Sequence, residues 1–118
     1  GLHKVLDLGA WWLQETGLPL PLGVNAARRD IGDRLGDLSA VLLASIEAGL
    51  ASRDEAMRYA MQFGRGIDQA TADTFVGMYV NEMTSDYGDE GRTAVSELLR
   101  GGDEIGAFPE PVRLDYVS

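Results

Sequence analysis

The chain has 118 residues, enough for one domain with a modest core. Its 45% hydrophobic and 25% charged residues are ordinary for a folded protein and exclude disorder as a whole-chain description. Ten Lys and Arg face nineteen Asp and Glu, a net charge of −9, so a nucleic-acid partner or an anionic membrane surface is not expected.

In chain order, Val5, Leu6 and Leu8 form a short apolar run ending at Gly9, which reads as a strand. Ala10 to Thr16 predicts a short helix, closed by Gly17, which tolerates the left-handed conformation. Adjacent helical residues diverge by about 100°, so one of Trp11 and Trp12 is expected in the core and the other half-exposed. Leu18-Pro19-Leu20-Pro21-Leu22 must be extended, because prolines at alternate positions forbid a helix and bias their predecessors the same way. Gly23 to Ala27 continues as a candidate strand.

From Asp30 onward the pattern is helical. Ile31, Leu35, Leu38, Leu42, Ser45, Ile46 and Gly49 share one face, with Asp30 as N-cap. Ser52-Arg53-Asp54-Glu55 reads as a capping box opening a second helix, with Ala56, Met57, Ala60, Met61 and Phe63 inward. Gly64 and Gly66 end it. Asp68 caps a third helix that carries Phe75, Met78, Tyr79 and Val80 as expected core. Thr84 to Gly88 reads as a polar turn. A fourth helix from about Asp89 carries Val95, Leu98 and Leu99, and Gly101-Gly102 is expected to interrupt it. A turn near Ile105 precedes Pro109-Glu110-Pro111, and Val112 to Val117 reads as extended. The expected division is 1–29, a strand-helix-strand segment, and 30–118, a helical segment.

The chain has no cysteine, which removes disulfides and thiolate chemistry and fits a cytoplasmic location. No signal-peptide pattern and no 18-residue apolar run is visible, so no membrane partner is expected. Two or three short strands do not make a stable sheet alone. Their partners are expected from a missing N-terminal portion or from another copy of the chain through strand edges. The absence of an initial Met likewise suggests a processed or fragmentary product.

A family pattern enters at Asp7-Leu8-Gly9-Ala10-Trp11-Trp12, followed by Glu15-Thr16-Gly17-Leu18-Pro19-Leu20-Pro21-Leu22-Gly23 and Arg28-Arg29-Asp30-Ile31-Gly32. Tyr59-Ala60-Met61-Gln62, Phe75 to Glu82, Asp86-Tyr87-Gly88 and Gly91-Arg92 extend it. Over nearly its whole length the chain resembles the C-terminal portion of the 1,4-dihydroxy-6-naphthoate synthases of menaquinone biosynthesis. The resemblance implies an α/β parent fold of two lobes, like a periplasmic binding protein, of which this chain is a mostly helical fragment with two or three short strands. It implies a carbon–carbon lyase converting cyclic dehypoxanthinyl futalosine to 1,4-dihydroxy-6-naphthoate, with no metal or organic cofactor. The family's catalytic histidine would lie before Gly1, and His3 does not match it, so no catalytic residue is assigned and the fragment is expected to be inactive alone. Alternatives are a solute-binding protein of the same fold for small carboxylates, separable by the sequence upstream of Gly1, and a stand-alone helical interaction module, which predicts a clean monomer.

The candidate substrate-binding residues are Leu18, Pro19, Leu20, Pro21, Leu22, Gly23 and Asn25. Fixed proline φ angles would hold an apolar wall in place before an aromatic carboxylate arrives. The competing reading is a rigid linker. Arg28-Arg29 suits a carboxylate by its planar fork but reads better as surface charge. The acidic residues Asp86, Asp89, Glu90, Asp103 and Glu104 lack calcium-loop spacing and suit helix starts. Neither a Ser-His-Asp set nor a phosphate-binding glycine loop is present.

Overall fold

A computed structural model describes residues 1–64 and 66–117. Among the described residues the chain forms six α-helices, two short 3-10 turns and no strand. It divides into two compact units. The first comprises Gly1–Asn25 and Tyr87–Asp115, and the second is built from Ala26–Asp86.

The first unit contains α1 (Leu8–Thr16) and α6 (Gly88–Glu104). Helix α1 starts at Leu8 because Asp7 caps it: the Asp7 carboxylate accepts from the Ala10 N–H at 3.1 Å. That bond, and then Lys4 at 3.3 Å, hold the Asp7 carboxyl below its ordinary range. Gly17 ends the helix at φ 71°, with its N–H donating to the Leu13 carbonyl at 2.8 Å, as its residue type predicts. In α6, Gly91, Ala94 and Val95 are buried on one stripe, while Asp89, Glu90, Arg92 and Arg100 are exposed. Arg100 bridges Glu97 and Glu104 along the outer face, which keeps the Glu97 carboxyl low and the guanidinium charged.

Gly101-Gly102 does not interrupt α6, contrary to the sequence expectation. A Cβ at Gly102 would stand 2.5 Å from Cε2 of Phe108, so glycine serves close packing of the ring there. At Gly101 no atom lies within 4 Å of such a Cβ.

The second unit runs through a 3-10 turn (Arg29–Arg34), α2 (Leu35–Ala51), α3 (Arg53–Ala60), a 3-10 turn (Met61–Phe63), α4 (Gln69–Tyr79) and α5 (Glu82–Ser85). The helix expected from Asp30 begins only at Leu35, because Gly32 takes φ 61° and ψ −131°, outside the helical region. Asp30 is no cap; its carboxylate pairs with Arg28, 3.0 Å from Nε. Nor does Ser52 form a capping box. Its carbonyl, not its hydroxyl, receives the Glu55 and Ala56 N–H groups at 3.0 Å. Asp68 does cap α4, accepting from the Thr71 N–H at 2.9 Å and the Thr71 hydroxyl at 2.6 Å, and the hydroxyl then the N–H hold its carboxyl low. The polar turn expected over Thr84 to Gly88 is partly helical, since Asn81 and Thr84 form a reciprocal capping box for α5. Arg53 ties α3 to α4 through the Asp73 carboxylate at 2.8 Å and the Asp73 carbonyl at 3.2 Å.

The expected fold class is therefore corrected. The segments Val5–Leu8, Leu22–Ala27 and Val112–Val117, read as extended or strand, form no strand, and the described chain is helical rather than α/β. A strand exists only through ladder hydrogen bonds to a neighbour, and none of these segments has one among the described residues. Leu8 is drawn into α1 by the Asp7 cap. Burial is corrected as well: Met57 and Val95 are buried as expected, but Phe75, Met78 and Tyr79 are exposed, and the buried residue of α4 is Ala72. Phe75 and Tyr79 instead lie against each other, ring centroids 4.9 Å apart.

Candidate functional site

The proline segment is fastened to α1. Trp12 is buried, and its indole Nε1 donates to the Pro19 carbonyl at 3.1 Å. The Thr16 hydroxyl donates to the Trp12 carbonyl at 2.8 Å and accepts from the Leu18 N–H at 3.1 Å. With Gly17 turning the chain between them, the helix end and the start of the segment form one hydrogen-bonded corner. Trp11, the neighbour on the diverging face, is 48% exposed, so the two rings split as the helical period requires.

Leu18, Pro19, Leu20 and Pro21 are half-buried along this corner, while Leu22, Gly23 and Asn25 are exposed. The seven candidate residues thus fall into an anchored half and an open half. Sequence reasoning named the two prolines as what would hold this segment. It missed the indole-to-carbonyl bond, although Trp12 standing seven residues before Pro19 was the signal for it. Chemically the corner offers apolar side chains and no acid or base. Arg28 is paired with Asp30 in an exposed ion pair. His3, the single histidine of the sequence, is exposed. No three His, Asp or Glu side chains among the described residues converge as a metal site.

A second concavity lies within the second unit, bounded by α3, α4 and the turn between them. It encloses about 160 Å³ and is lined by Met57, Met61, Phe63, Ile67, Ala72 and Phe75 among others. Its lining is apolar, with no group to orient a polar ligand.

No single helix among the described residues is long and apolar enough to cross a membrane.

A model of a menaquinone-biosynthesis family matches residues 1–104. The chain is similar to the 1,4-dihydroxy-6-naphthoate synthase of Streptomyces coelicolor, 39% identical over 110 residues that make up 92% of this chain and 39% of the relative. It is similar to the enzyme of the same name from Thermus thermophilus, 40% identical over 113 residues, 94% of this chain and 42% of the relative. The chain spans about two fifths of the length of these curated relatives. Within that span the match runs through the Trp12–Pro19 corner and all six helices, and the chain belongs to the menaquinone-biosynthesis family.

Proposed function

We propose that this chain supplies one apolar wall of the substrate site of a synthase that converts cyclic dehypoxanthinyl futalosine to 1,4-dihydroxy-6-naphthoate. The observation that carries this reading is the family match over residues 1–104, with relatives of that name at 39–40% identity. The geometry supports it: the indole bond to the Pro19 carbonyl and the proline φ angles hold Leu18 to Pro21 in place without a ligand. An aromatic carboxylate would lay its rings on Leu18, Leu20 and Leu22, with Asn25 at the open end for a polar contact.

The reaction is of the carbon–carbon lyase class. The corner carries no titratable side chain, so this chain binds and orients but neither gives nor takes a proton there. The base and the opposite wall come from the part of the family's polypeptide outside the match. The chain alone is accordingly inactive, and the assembled enzyme works in the cytoplasm without metal or organic cofactor.

Two measurements test this. Incubating the purified chain with cyclic dehypoxanthinyl futalosine should yield no 1,4-dihydroxy-6-naphthoate; turnover by the isolated chain would overturn the division of labour. In the intact Thermus thermophilus synthase, placing Asp at the position matching Leu20 should lower kcat/KM by about tenfold or more, the scale of apolar-pocket discrimination. Unchanged kinetics would remove the segment from the site.

A further inference from the structure

The proline segment leaves α1 through a closed set of bonds in which one small side chain plays both donor and acceptor. Trp12 stands at both ends of the set. Its indole Nε1 donates to the Pro19 carbonyl at 3.1 Å, and its own carbonyl accepts from the Thr16 hydroxyl at 2.8 Å. The same hydroxyl accepts from the Leu18 N–H at 3.1 Å. Gly17, between them, turns the chain at φ 71° and gives its N–H to the Leu13 carbonyl. Prolines have no N–H, so over 18–21 the backbone can donate only at Leu18 and Leu20. The Thr16 hydroxyl takes the first of these donors and ties it to the helix.

The needs of the helix do not explain a threonine here. Thr is a weak helix former, and a cation would suit the last turn, which in α1 has none. A hydroxyl bonded back to the carbonyl four residues earlier slightly weakens a helix. The corner, by contrast, requires a group that accepts from one neighbour and donates to another on a short tether. Ser and Thr hydroxyls combine the two nearest the backbone; an amide reaches further, and a carboxylate only accepts. Of the two, Thr is the stiffer at χ1 because its Cβ is branched. Thr16 and Leu18 are both half-buried, so removing the hydroxyl would leave the Leu18 N–H poorly solvated and without a partner.

We propose that Thr16 is a positioning residue of the substrate wall: by joining the Leu18 N–H to the Trp12 carbonyl, its hydroxyl sets the direction in which Leu18 and Leu20 are presented. Thr16 acts through the backbone of Leu18 and supplies no group to the reaction. The inference rests on the reading that Leu18 to Pro21 form that wall, while the bonds of the corner stand independently of it. A wall fixed before the ligand arrives holds substrate and transition state alike, so loosening it acts on KM and leaves kcat.

Hydrogen exchange followed by NMR tests the corner in this chain, with Thr16→Ser and Thr16→Val beside the parent. In Thr16→Val the Leu18 amide and the Trp12 indole N–H should exchange at least about tenfold faster, and in Thr16→Ser within about threefold of the parent. The Ala94 and Val95 amides of α6, in the same unit, should exchange alike in all three. Unchanged exchange at Leu18 in Thr16→Val would overturn the proposal. So would an equal acceleration at Ala94 and Val95, which would assign the hydroxyl to folding of the whole unit. Kinetics then test the positioning in the intact Thermus thermophilus synthase, with the residue matching Thr16 set in turn to Thr, Ser and Val. Val should raise KM for cyclic dehypoxanthinyl futalosine by about threefold to tenfold with kcat within about twofold, and Ser should restore the KM of the Thr form. A residue that only kept the fold would reduce the amount of active enzyme, and so the apparent kcat, without moving KM. An unmoved KM, or a Ser form as impaired as the Val form, would overturn the proposal. If KM is unmoved while the Leu20-position variant loses activity as expected, Thr16 has no positioning role and the substrate-wall reading stands. If the Leu20-position variant leaves kinetics unchanged, both fall, and the exchange data describe a corner of the fold alone.

Discussion

Helices α6 and α2 are equally long, 17 residues each, and they solve opposite problems. In α6 the charged side chains keep to one side, and Gly91, Ala94 and Val95 are buried along the other. Its stripe is covered in the folded chain, and the Phe108 ring lies on Gly102 of the same helix. In α2 the apolar arc is twice as wide as its unit covers, and nothing on it is buried. The width of an apolar arc therefore measures how many sides of a helix need cover, and burial in the folded chain measures how many have it. By this measure the stripe of α6 has the cover it needs and the arc of α2 does not.

The comparison can be broken at several points. Trp12→Ala should cost about 3–5 kcal/mol, since it removes a buried ring and the bond that fastens Pro19. Urea denaturation followed by far-UV circular dichroism reads it, and a loss below 1 kcal/mol would mean that the Trp12–Pro19 corner does not hold the first unit. Met57→Ala, at the most buried large side chain of the second unit, should cost about 2–3 kcal/mol, the low end for such a truncation, because the apolar concavity beside it is already open.

Glycine substitutions sharpen the account of α6. Gly101→Ala should stabilise by about 0.5–1 kcal/mol, as open space surrounds the new methyl. Gly102→Ala should fall about 1–2 kcal/mol short of it, because the methyl displaces the Phe108 ring. Equal thermal midpoints for the two variants would show that Phe108 does not pack on the helix. Leu42→Asp should change the stability of the isolated chain by no more than about 0.5 kcal/mol, as the side chain is exposed. A loss of 2 kcal/mol or more would place Leu42 in a core that the described structure does not show.

The smallest effect is acid dependence. The folded carboxyls of Asp7 and Asp68 titrate below the ordinary aspartate value of 3.8. Their cap stabilisation is therefore complete above that value and is lost as pH falls through the depressed folded values. Helical ellipticity should fall as pH drops below about 4. Asp68→Asn keeps an acceptor for the Thr71 N–H, so α4 should lose its part of this dependence while α1 retains its own. An acid titration identical to that of the parent chain would remove Asp68 from the account.

Several features were legible from residue types alone because their causes lie within a few residues. Gly17 stops α1, Asp68 starts α4 and Pro19 and Pro21 keep their segment out of any helix. The Trp11–Trp12 split follows from the helical period. The family, too, was written in the local motifs from Asp7 to Gly32 and from Phe75 to Glu82. The rest depended on contacts between segments far apart in the chain. Leu22–Ala27 has the composition of a strand, but a strand is a relation between two segments, and the partner is no part of the local pattern. Gly101-Gly102 looked like a stop until the Phe108 ring showed why glycine stands there. Phe75, Met78 and Tyr79 have a core residue's chemistry and an exposed residue's position. Local chemistry was enough to place the end of α1, the start of α4 and the apolar faces, because caps, prolines and period act within a few residues. Which of those faces found cover depended on what else was near in space, and α2 is where that cover is missing within the chain.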